Sequence, residues 1–176
     1  MGAALGAMVG WMTYGSKKFE ALDGVMRKNI APLHYIMKDL IPMIDSDTNA
    51  FNSYMAAMKM PKKTEEEIAK RNEAMENGLK TAIQVPFTCM EKASSAWPYM
   101  IEIAKVGNIK SKSDMQVGAR CLELGIWGCG QNVFINMKDI HDQDYIQSMT
   151  EKTNKMMEDA KKYSEEILEI LEKREN

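Results

Sequence analysis

Apolar residues recur three and four positions apart along nearly the whole chain, and this is the spacing of amphipathic helices. No stretch alternates apolar and polar residues as a half-buried strand does, and no Gly-rich phosphate loop follows a strand-like run. The pattern predicts helices over residues 1–12, 17–59 with kinks near Pro32 and Pro42, 64–95 with a disturbance at Pro86, 97–107, 113–138 and 143–176. The sequence therefore predicts an all-α fold, a multihelical bundle.

Several helix starts carry recognisable signals. Thr64 followed by Glu67 has the spacing of a capping box, in which each residue satisfies a free backbone N–H of the first turn. Ser113 with Gln116 has the same spacing, and Pro98 suits the first turn of a helix because it lacks an N–H. These signals predict helix starts close to residues 64, 97 and 113.

The last predicted helix, residues 143–176, has a regular seam of the kind found in bundles and coiled coils. Lys and Glu fill its other faces, and a packed stripe beneath a solvated face explains that pattern. The seam positions are Ile146, Met149, Thr153, Met156, Ala160, Tyr163, Ile167 and Ile170. We assign this helix to assembly, within a single domain that spans residues 1–176.

The first helix is almost entirely small or apolar. Gly2, Gly6 and Gly10 lie on it four residues apart, and small residues at that spacing let two helices approach closely. A fully apolar helix at a chain terminus needs a covering surface. We therefore expect an N-terminally shortened domain whose first helix is shielded by a partner subunit.

Composition excludes several functional classes. The formal net charge is -2, whereas a nucleic-acid binder normally presents a basic face. Three cysteines without a CxxC pair and two isolated histidines argue against a zinc site, and we expect no metal. No run approaches the ~20 apolar residues of a membrane span, and the opening residues lack the basic region of a signal peptide. The expectation is a cytoplasmic chain whose seventeen methionines fill helical cores or adaptable contacts.

One acidic residue interrupts an otherwise apolar stripe of the second predicted helix. Asp47 is the only charged residue among eight positions, which are Leu33, Met37, Leu40, Ile44, Asp47, Phe51, Tyr54 and Met58. A carboxylate taken from water is costly unless it is paired or protonated, and a carboxyl that exchanges its proton near neutrality serves general acid–base catalysis. On the pattern alone, a structural ion pair to a lysine is about twice as probable as catalysis, since such pairs also perturb carboxylates.

A strip of small residues with polar ends follows the helix that begins near Ser113. Its members are Asp114, Gly118, Cys121, Gly125, Gly128, Asn132 and Asn136. Close packing of another helix is the favoured explanation. The functional alternative is a pocket for a flat heteroaromatic ligand. Asn side chains both donate and accept hydrogen bonds, which suits a ring that bears amide and amine groups.

Several segments occur in an order and at a spacing that resemble one known family. They are MGAALGAMVGWMTYG, IDSDTNAF, MKMPKKTEEE, IQVPFT, GNIKSKSDMQVGA and NVFINMKDI. Together they resemble the cyclodeaminase domain of formiminotransferase-cyclodeaminase over essentially the whole chain, with details closest to the bifunctional animal-type enzyme. The family carries an earlier helix and a Pro-Gly-Gly-Gly-Ser turn that this chain lacks. The resemblance therefore implies an N-terminally shortened domain.

The resemblance implies a fold and an activity. Members form an all-helical, interlocked homodimer with the active site between subunits. They convert 5-formiminotetrahydrofolate to 5,10-methenyltetrahydrofolate and release ammonia, in histidine catabolism and one-carbon metabolism. The family's active-site aspartate is the second Asp of its Asp-x-Asp element, and that position matches Asp47. The resemblance therefore implies that Asp47 is the catalytic residue, and it reverses the preference for a structural ion pair. No cofactor beyond the tetrahydrofolate substrate, which is expected to be polyglutamylated, is implied.

Other implications concern partners and binding residues. We expect a homo-oligomer built from dimers, a formiminotransferase domain in the parent protein, and a cytoplasmic location with association to the Golgi or cytoskeleton. Candidate substrate-binding residues are Asp114, Asn132 and Asn136 for the pterin, Asn108 and Ser113 in the adjoining loop, and Tyr14 and Lys18 for the ring and the glutamate tail.

Two alternatives stay open. One is methenyltetrahydrofolate cyclohydrolase activity on the same fold, and the other is a non-catalytic helical assembly module. A helical redox or metal protein is excluded by the absence of a Glu-x-x-His pair of inward ligands.

Overall fold

The computed structural model describes residues 1–174, and in this range the chain is helical with no strand. The helices are α1 Gly2–Trp11, α2 Asp23–Leu40, α3 Met43–Met58, α4 Glu65–Ser94, α5 Trp97–Val106, α6 Lys112–Asn136 and α7 Gln143–Lys173. Short 3₁₀ turns cover Lys17–Leu22, Ile109–Ser111 and Met137–Asp139. The predicted all-α fold is confirmed.

Helix α6 is the central element of the bundle, because α1, α4 and α7 all pack against it. Helix α3 packs mainly on α4, and α2 packs on α1 and α5. The fully buried side chains include Trp97 and the methionines Met26, Met90, Met100 and Met115. Met is unbranched and flexible, so it fills irregular gaps between helices that cross at different angles.

Helices α1 and α6 approach each other closely because both carry glycines. A Cβ atom added to Gly2 would lie 2.7 Å from the carbonyl oxygen of Gly118, and one added to Gly118 would lie 3.2 Å from Leu5 Cβ. At the other end of α1, Ser111 Oγ lies 3.4 Å from Met12 Sδ. Helix α1 therefore runs antiparallel to α6, and the close approach that its small residues predict is confirmed. The expectation that a partner subunit shields these small residues is wrong, because helices of the same chain already bury them.

Pro86 lies inside α4 without ending it. Proline has no N–H, so the carbonyl of Ala82, four residues earlier, loses its partner within the helix. Asn136 at the end of α6 replaces that partner, with its Nδ2 donating to Ala82 O at 2.9 Å. This contact fixes how α4 and α6 are aligned.

The predicted helix boundaries are partly right. Thr64 and Glu67 form the predicted capping box, and α5 begins at Trp97. The predicted helix 17–59 is instead divided into a 3₁₀ turn, α2 and α3, with the break at Pro42. The predicted cap at Ser113 is wrong, because α6 begins one residue before it, with Ser111 at the N-cap.

The seam of α7 packs within its own chain. Met149, Thr153, Ala160 and Ile167 are buried against neighbouring helices, and α7 contacts α4, α5 and α6. Tyr163 is the seam position that is 40% exposed. An assembly role for residues 143–174 would have to use other faces of this helix, and residues 175–176 lie outside the described range.

Large apolar side chains are uncovered on two helices. Ile44 and Phe51 on α3 are 70% and 57% exposed, and Leu124, Trp127 and Ile135 on α6 are each more than half exposed. Isolated exposed apolar residues are ordinary, but rows of them along one helix face mark contact surfaces.

Within residues 1–174, no helix combines the length and the apolar character that crossing a membrane requires.

Candidate functional site

Asp47 lies on α3 between a buried face and an exposed apolar face. On a helix of 3.6 residues per turn, Asp47 lies between two pairs of residues. Ala50 and Tyr54 lie on its side towards α4, and the exposed Ile44 and Phe51 lie on its other side. Its own side chain is exposed. The expectation that Asp47 is packed among apolar neighbours is therefore wrong for a single chain.

The reason for this difference is physical. An apolar stripe in a sequence shows that a surface avoids water, but the pattern does not say whether the covering element belongs to the same chain. On α3, the chain covers only the face of Ala50 and Ala57. The stripe that contains Ile44 and Phe51 is left open beside Asp47.

Two thiols lie within electrostatic range of Asp47. Cys89 on α4 and Cys129 on α6 are both half-buried, and the negative charge of Asp47 is a minor influence on the pKa of each thiol that acts against its ionisation. Asp47 therefore lies near the place where α4 and α6 carry these cysteines.

The two thiols are joined by a hydrogen bond that makes them unequal. The hydrogen bond from Cys129 lowers the pKa of Cys89 to about 7, although burial and Asp47 oppose this shift. The pKa of Cys129 is raised, first by its hydrogen bond to Cys89 and then by burial. With a pKa of about 7, the Cys89 thiol is partly ionised at neutral pH, whereas the raised pKa of Cys129 keeps that thiol protonated. Neither residue was predicted as functional, because only the packing of α4 on α6 brings them together.

The two candidate asparagines of α6 differ in their surroundings. Asn132 is exposed, about one turn beyond Cys129. Asn136 is half-buried, and its Nδ2 is engaged by Ala82 O. Through that hydrogen bond Asn136 stabilises α4, a structural role that the sequence did not predict. The role arises because Pro86, on α4, leaves the Ala82 carbonyl without a partner in its own helix.

The other candidates lie at the opposite end of α6. The backbone N–H of Asn108 donates to Thr13 Oγ1 at 2.8 Å, and its side-chain Oδ1 accepts from Lys110 N at 3.1 Å. Asn108 therefore ties the loop before α6 to the end of α1. Ser113 is exposed and Asp114 is half-buried in the first turn of α6.

Tyr14 lines a cleft of about 400 Å³ beside α1 and α2. Its hydroxyl accepts a hydrogen bond from Arg27 Nη2 at 2.9 Å, and its ring meets the Trp11 ring edge-on at a centroid distance of 5.5 Å. The lining residues are Trp11, Tyr14, Arg27, Ile30, Ala31, His34 and Tyr35. Aromatic walls with one guanidinium suit a flat ring that carries a carboxylate.

Sequence reasoning missed Arg27 and His34 in this cleft. Their spacing could have indicated that they line the same cleft, since residues 27, 31 and 34 share one face of α2. The predicted cation Lys18 is exposed on the 3₁₀ turn, and its Nζ lies 5.3 Å from the centroid of the Phe19 ring.

The candidate residues thus form two groups on one chain. Asp47, Asn132 and Asn136 accompany the second half of α6, whereas the others accompany its beginning. Asp114 and Asn132 are eighteen residues apart on α6, which corresponds to about 27 Å of helix. One chain therefore does not bring the predicted site residues together.

No group of three or more His, Cys, Asp or Glu side chains in residues 1–174 is arranged to hold a metal ion. The chemistry available at either end of α6 is that of carboxylates, amides, thiols and cationic side chains.

Comparisons with known proteins give consistent results. The sequence model of the family described as Formiminotransferase-cyclodeaminase matches residues 1–155. The Formimidoyltransferase-cyclodeaminases of Gallus gallus and Dictyostelium discoideum are 47% and 46% identical over 99% of this chain. The matches cover 32% of each relative, so the chain spans about a third of the length of these curated relatives.

Two further similarities concern shorter proteins. A Methenyltetrahydrofolate cyclohydrolase of Methylorubrum extorquens is 28% identical over the whole chain and is covered over 85% of its length. The crystal structure of formiminotetrahydrofolate cyclodeaminase from Thermotoga maritima superposes with a TM-score of 0.83 at 24% identity, over 98% of this chain and 82% of that one. At this identity, the superposition establishes the fold alone.

Proposed function

This chain belongs to the formiminotransferase-cyclodeaminase family, and on that premise we propose that it is a cyclodeaminase acting on a tetrahydrofolate. The reaction converts 5-formiminotetrahydrofolate to 5,10-methenyltetrahydrofolate and releases ammonia, as a step of histidine catabolism. The observation that carries the proposal is the position of Asp47. Its carboxylate borders an uncovered apolar face, beside a junction of two other helices.

The proposed site is completed by a second copy of the chain in an interlocked homodimer. The uncovered apolar faces of α3 and α6 supply surface for such a contact. In the proposed dimer the two-fold axis crosses α6 at a right angle near its middle, so that Asp47 and Asn132 of one chain meet Tyr14 and Asp114 of the other. Covering Ile44 and Phe51 in this way also removes Asp47 from bulk water.

Substrate binding divides between the two ends of α6. Asp114 and Asn132 offer hydrogen bonds to the amide and amine edges of the pterin, as Asn136 does with its remaining polar atoms. Asn108 and Ser113 shape the adjoining loop. The cleft of Tyr14 and Arg27 accommodates the aminobenzoyl ring and a carboxylate of the glutamate attached to it. The exposed Lys18 attracts the rest of a polyglutamyl tail without demanding a fixed geometry.

Asp47 acts as a proton carrier in the proposed mechanism. The bridging anilino nitrogen attacks the carbon of the protonated formimino group, whose nitrogen thereby becomes a neutral amino group, and Asp47 accepts the proton that the anilino nitrogen loses. Asp47 then protonates the amino group of the tetrahedral adduct, the carbon–nitrogen bond breaks, and ammonia leaves as the methenyl bridge forms. Positioned proton transfer contributes ~10²–10⁴ in rate, and holding both ends of one molecule in contact contributes further.

The substrate carries its own one-carbon unit, so the proposal requires no cofactor besides the tetrahydrofolate. A formiminotransferase domain in the parent protein would supply the formimino compound. We place the reaction in the cytoplasm, with Golgi or cytoskeletal association as a property of the parent protein.

The test replaces Asp47 by Asn in the full-length parent protein. We expect methenyl formation and ammonia release to fall ~10²-fold or more, because Asn cannot carry the proton. Asp45→Asn is the matched control, since Asp45 is exposed on the same helix and points away from Asp47. Equal activity of Asp47→Asn and the wild type, with helical content unchanged by circular dichroism, would remove Asp47 from the mechanism.

A second candidate function is the hydrolysis of 5,10-methenyltetrahydrofolate. The cyclohydrolase of Methylorubrum extorquens favours it, because that relative aligns with the whole of this chain. Supplying each folate separately and following the methenyl absorbance distinguishes the two. Absorbance that rises only with the formimino substrate supports cyclodeamination, and absorbance that falls with the methenyl substrate supports hydrolysis.

A further inference from the structure

The packing of α4 on α6 places two thiols directly opposite each other. The hydrogen bond from Asn136 Nδ2 to Ala82 O fixes the alignment of these helices. Cys89 lies seven residues after Ala82, and Cys129 lies seven residues before Asn136, which is about two turns along each antiparallel helix. The register alone therefore pairs Cys89 with Cys129.

Three observations make this pair chemically distinct. A hydrogen bond between the two thiols lowers the pKa of Cys89 and raises that of Cys129. Both residues are half-buried, which leaves them open to small reagents. The carboxylate of Asp47 lies within electrostatic range of both. Cys121, the third cysteine, is also half-buried, but its sulfur contacts Met1 Sδ at 3.8 Å instead.

We propose that Cys89 and Cys129 form a reversible disulfide, an oxidation-sensitive site that lies beside Asp47. Hydrogen peroxide is the oxidant. The Cys89 thiolate attacks one peroxide oxygen, the O–O bond breaks, hydroxide leaves, and Cys89 becomes a sulfenic acid. The Cys129 thiol then attacks that sulfur, the S–S bond forms and water leaves. A small thiol such as glutathione reverses the reaction by thiol–disulfide exchange.

The expected consequence rests on the proposed function of Asp47. A disulfide requires its two Cβ atoms to lie about 3.5–4.5 Å apart, so it draws α4 and α6 into one fixed spacing. Asp47 lies near this junction, and α3 packs on α4 with Gly78 under Tyr54. Oxidation therefore shifts α4 relative to the site, and turnover falls until the bond is reduced.

The test begins without any folate. The reduced protein is treated with hydrogen peroxide, free thiols are counted, and disulfides are mapped by peptide mass spectrometry. We expect two thiols to be lost, one intrachain Cys89–Cys129 bond to appear, and Cys121 to stay reduced. Cys129→Ser should stop at a sulfenic acid on Cys89 that dimedone traps, and Cys121→Ser should behave as the wild type. Oxidation of Cys121 as fast as Cys89, or only interchain bonds, would overturn the proposal.

Measuring turnover as well separates the formation of the disulfide from its proposed effect on activity. Turnover is measured before oxidation, after it, and after reduction with dithiothreitol, in the wild type and in Cys121→Ser. Activity lost on oxidation and regained on reduction supports the regulatory role, whereas a mapped disulfide with unchanged turnover overturns it. An inactive reduced protein that still forms the bond counts against the proposed function alone.

Discussion

At the scale of single residues, Asp47 is informative because of its place on the edge of a helix face. The sequence correctly singles out an acid within an apolar stripe, and the structure shows that half of this stripe is open. The thiols beside it could not be predicted, because Cys89 and Cys129 are forty residues apart and carry no motif. Only the alignment fixed by Asn136 and Ala82 brings them together.

The effect of Asp47 on Cys89 gives a prediction at this scale. The rate of Cys89 alkylation by iodoacetamide should rise as the pH passes about 7, because the thiolate is the nucleophile. Asp47→Asn removes a charge that acts against ionisation of Cys89, so the Cys89 pKa should fall further and alkylation at pH 7 should become faster, by at most about two-fold. The measurement is peptide-resolved alkylation, with Asp45→Asn as control. Slower alkylation in Asp47→Asn would contradict the geometry of this cluster.

At the scale of helices, local sequence signals predict where a helix begins better than they predict whether a proline interrupts it. The capping box of Thr64 and Glu67 involves only neighbouring residues, so the sequence determines it. The start of α6 at Lys112 depends instead on the preceding turn and on packing around the buried Ser111. Pro86 similarly stays within α4 because a side chain from α6 compensates for its missing N–H.

The compensation by Asn136 predicts a stability difference between two asparagines of one helix. Asn136→Ala leaves the Ala82 carbonyl without a partner, and an unsatisfied, partly buried acceptor costs about 1–2 kcal/mol of unfolding free energy. Asn132→Ala is the matched control, because Asn132 is exposed and its loss should change stability by less than about 0.5 kcal/mol. Urea unfolding followed by circular dichroism measures both. Equal stabilities for the two variants would show that Asn136 does not support α4.

At the scale of the whole molecule, the fold follows from the sequence pattern but the site does not. Helical periodicity predicts the elements of the bundle. The small residues of α1 and the α7 seam, which we expected to serve a partner subunit and assembly, pack within the chain instead. The candidate binding residues occupy two ends of α6, about 27 Å apart along it. Periodicity carries no information on how two copies are arranged, so the distance between Asp47 and Asp114 across a contact could not be predicted.

The uncovered faces predict an oligomer that a single charge disrupts. Phe51→Asp places a carboxylate in the proposed contact, where burial without a partner is costly. We expect the wild type to have twice the mass of the chain by light scattering and Phe51→Asp to have the mass of one chain. Asp45→Asn, on another face of α3, should leave the dimer intact. A monomeric wild type at micromolar concentration would show that this face has a different use.

The most direct test of a folate site shared between two copies is subunit complementation. Asp47→Asn and Asp114→Ala are each inactive under this account, because each damages every site of its homodimer. After subunit exchange in an equal mixture, one site of each mixed dimer carries both changes and the other is intact, so roughly a quarter of wild-type activity should return. Mixed dimers confirmed by native mass spectrometry that stay inactive would contradict the account.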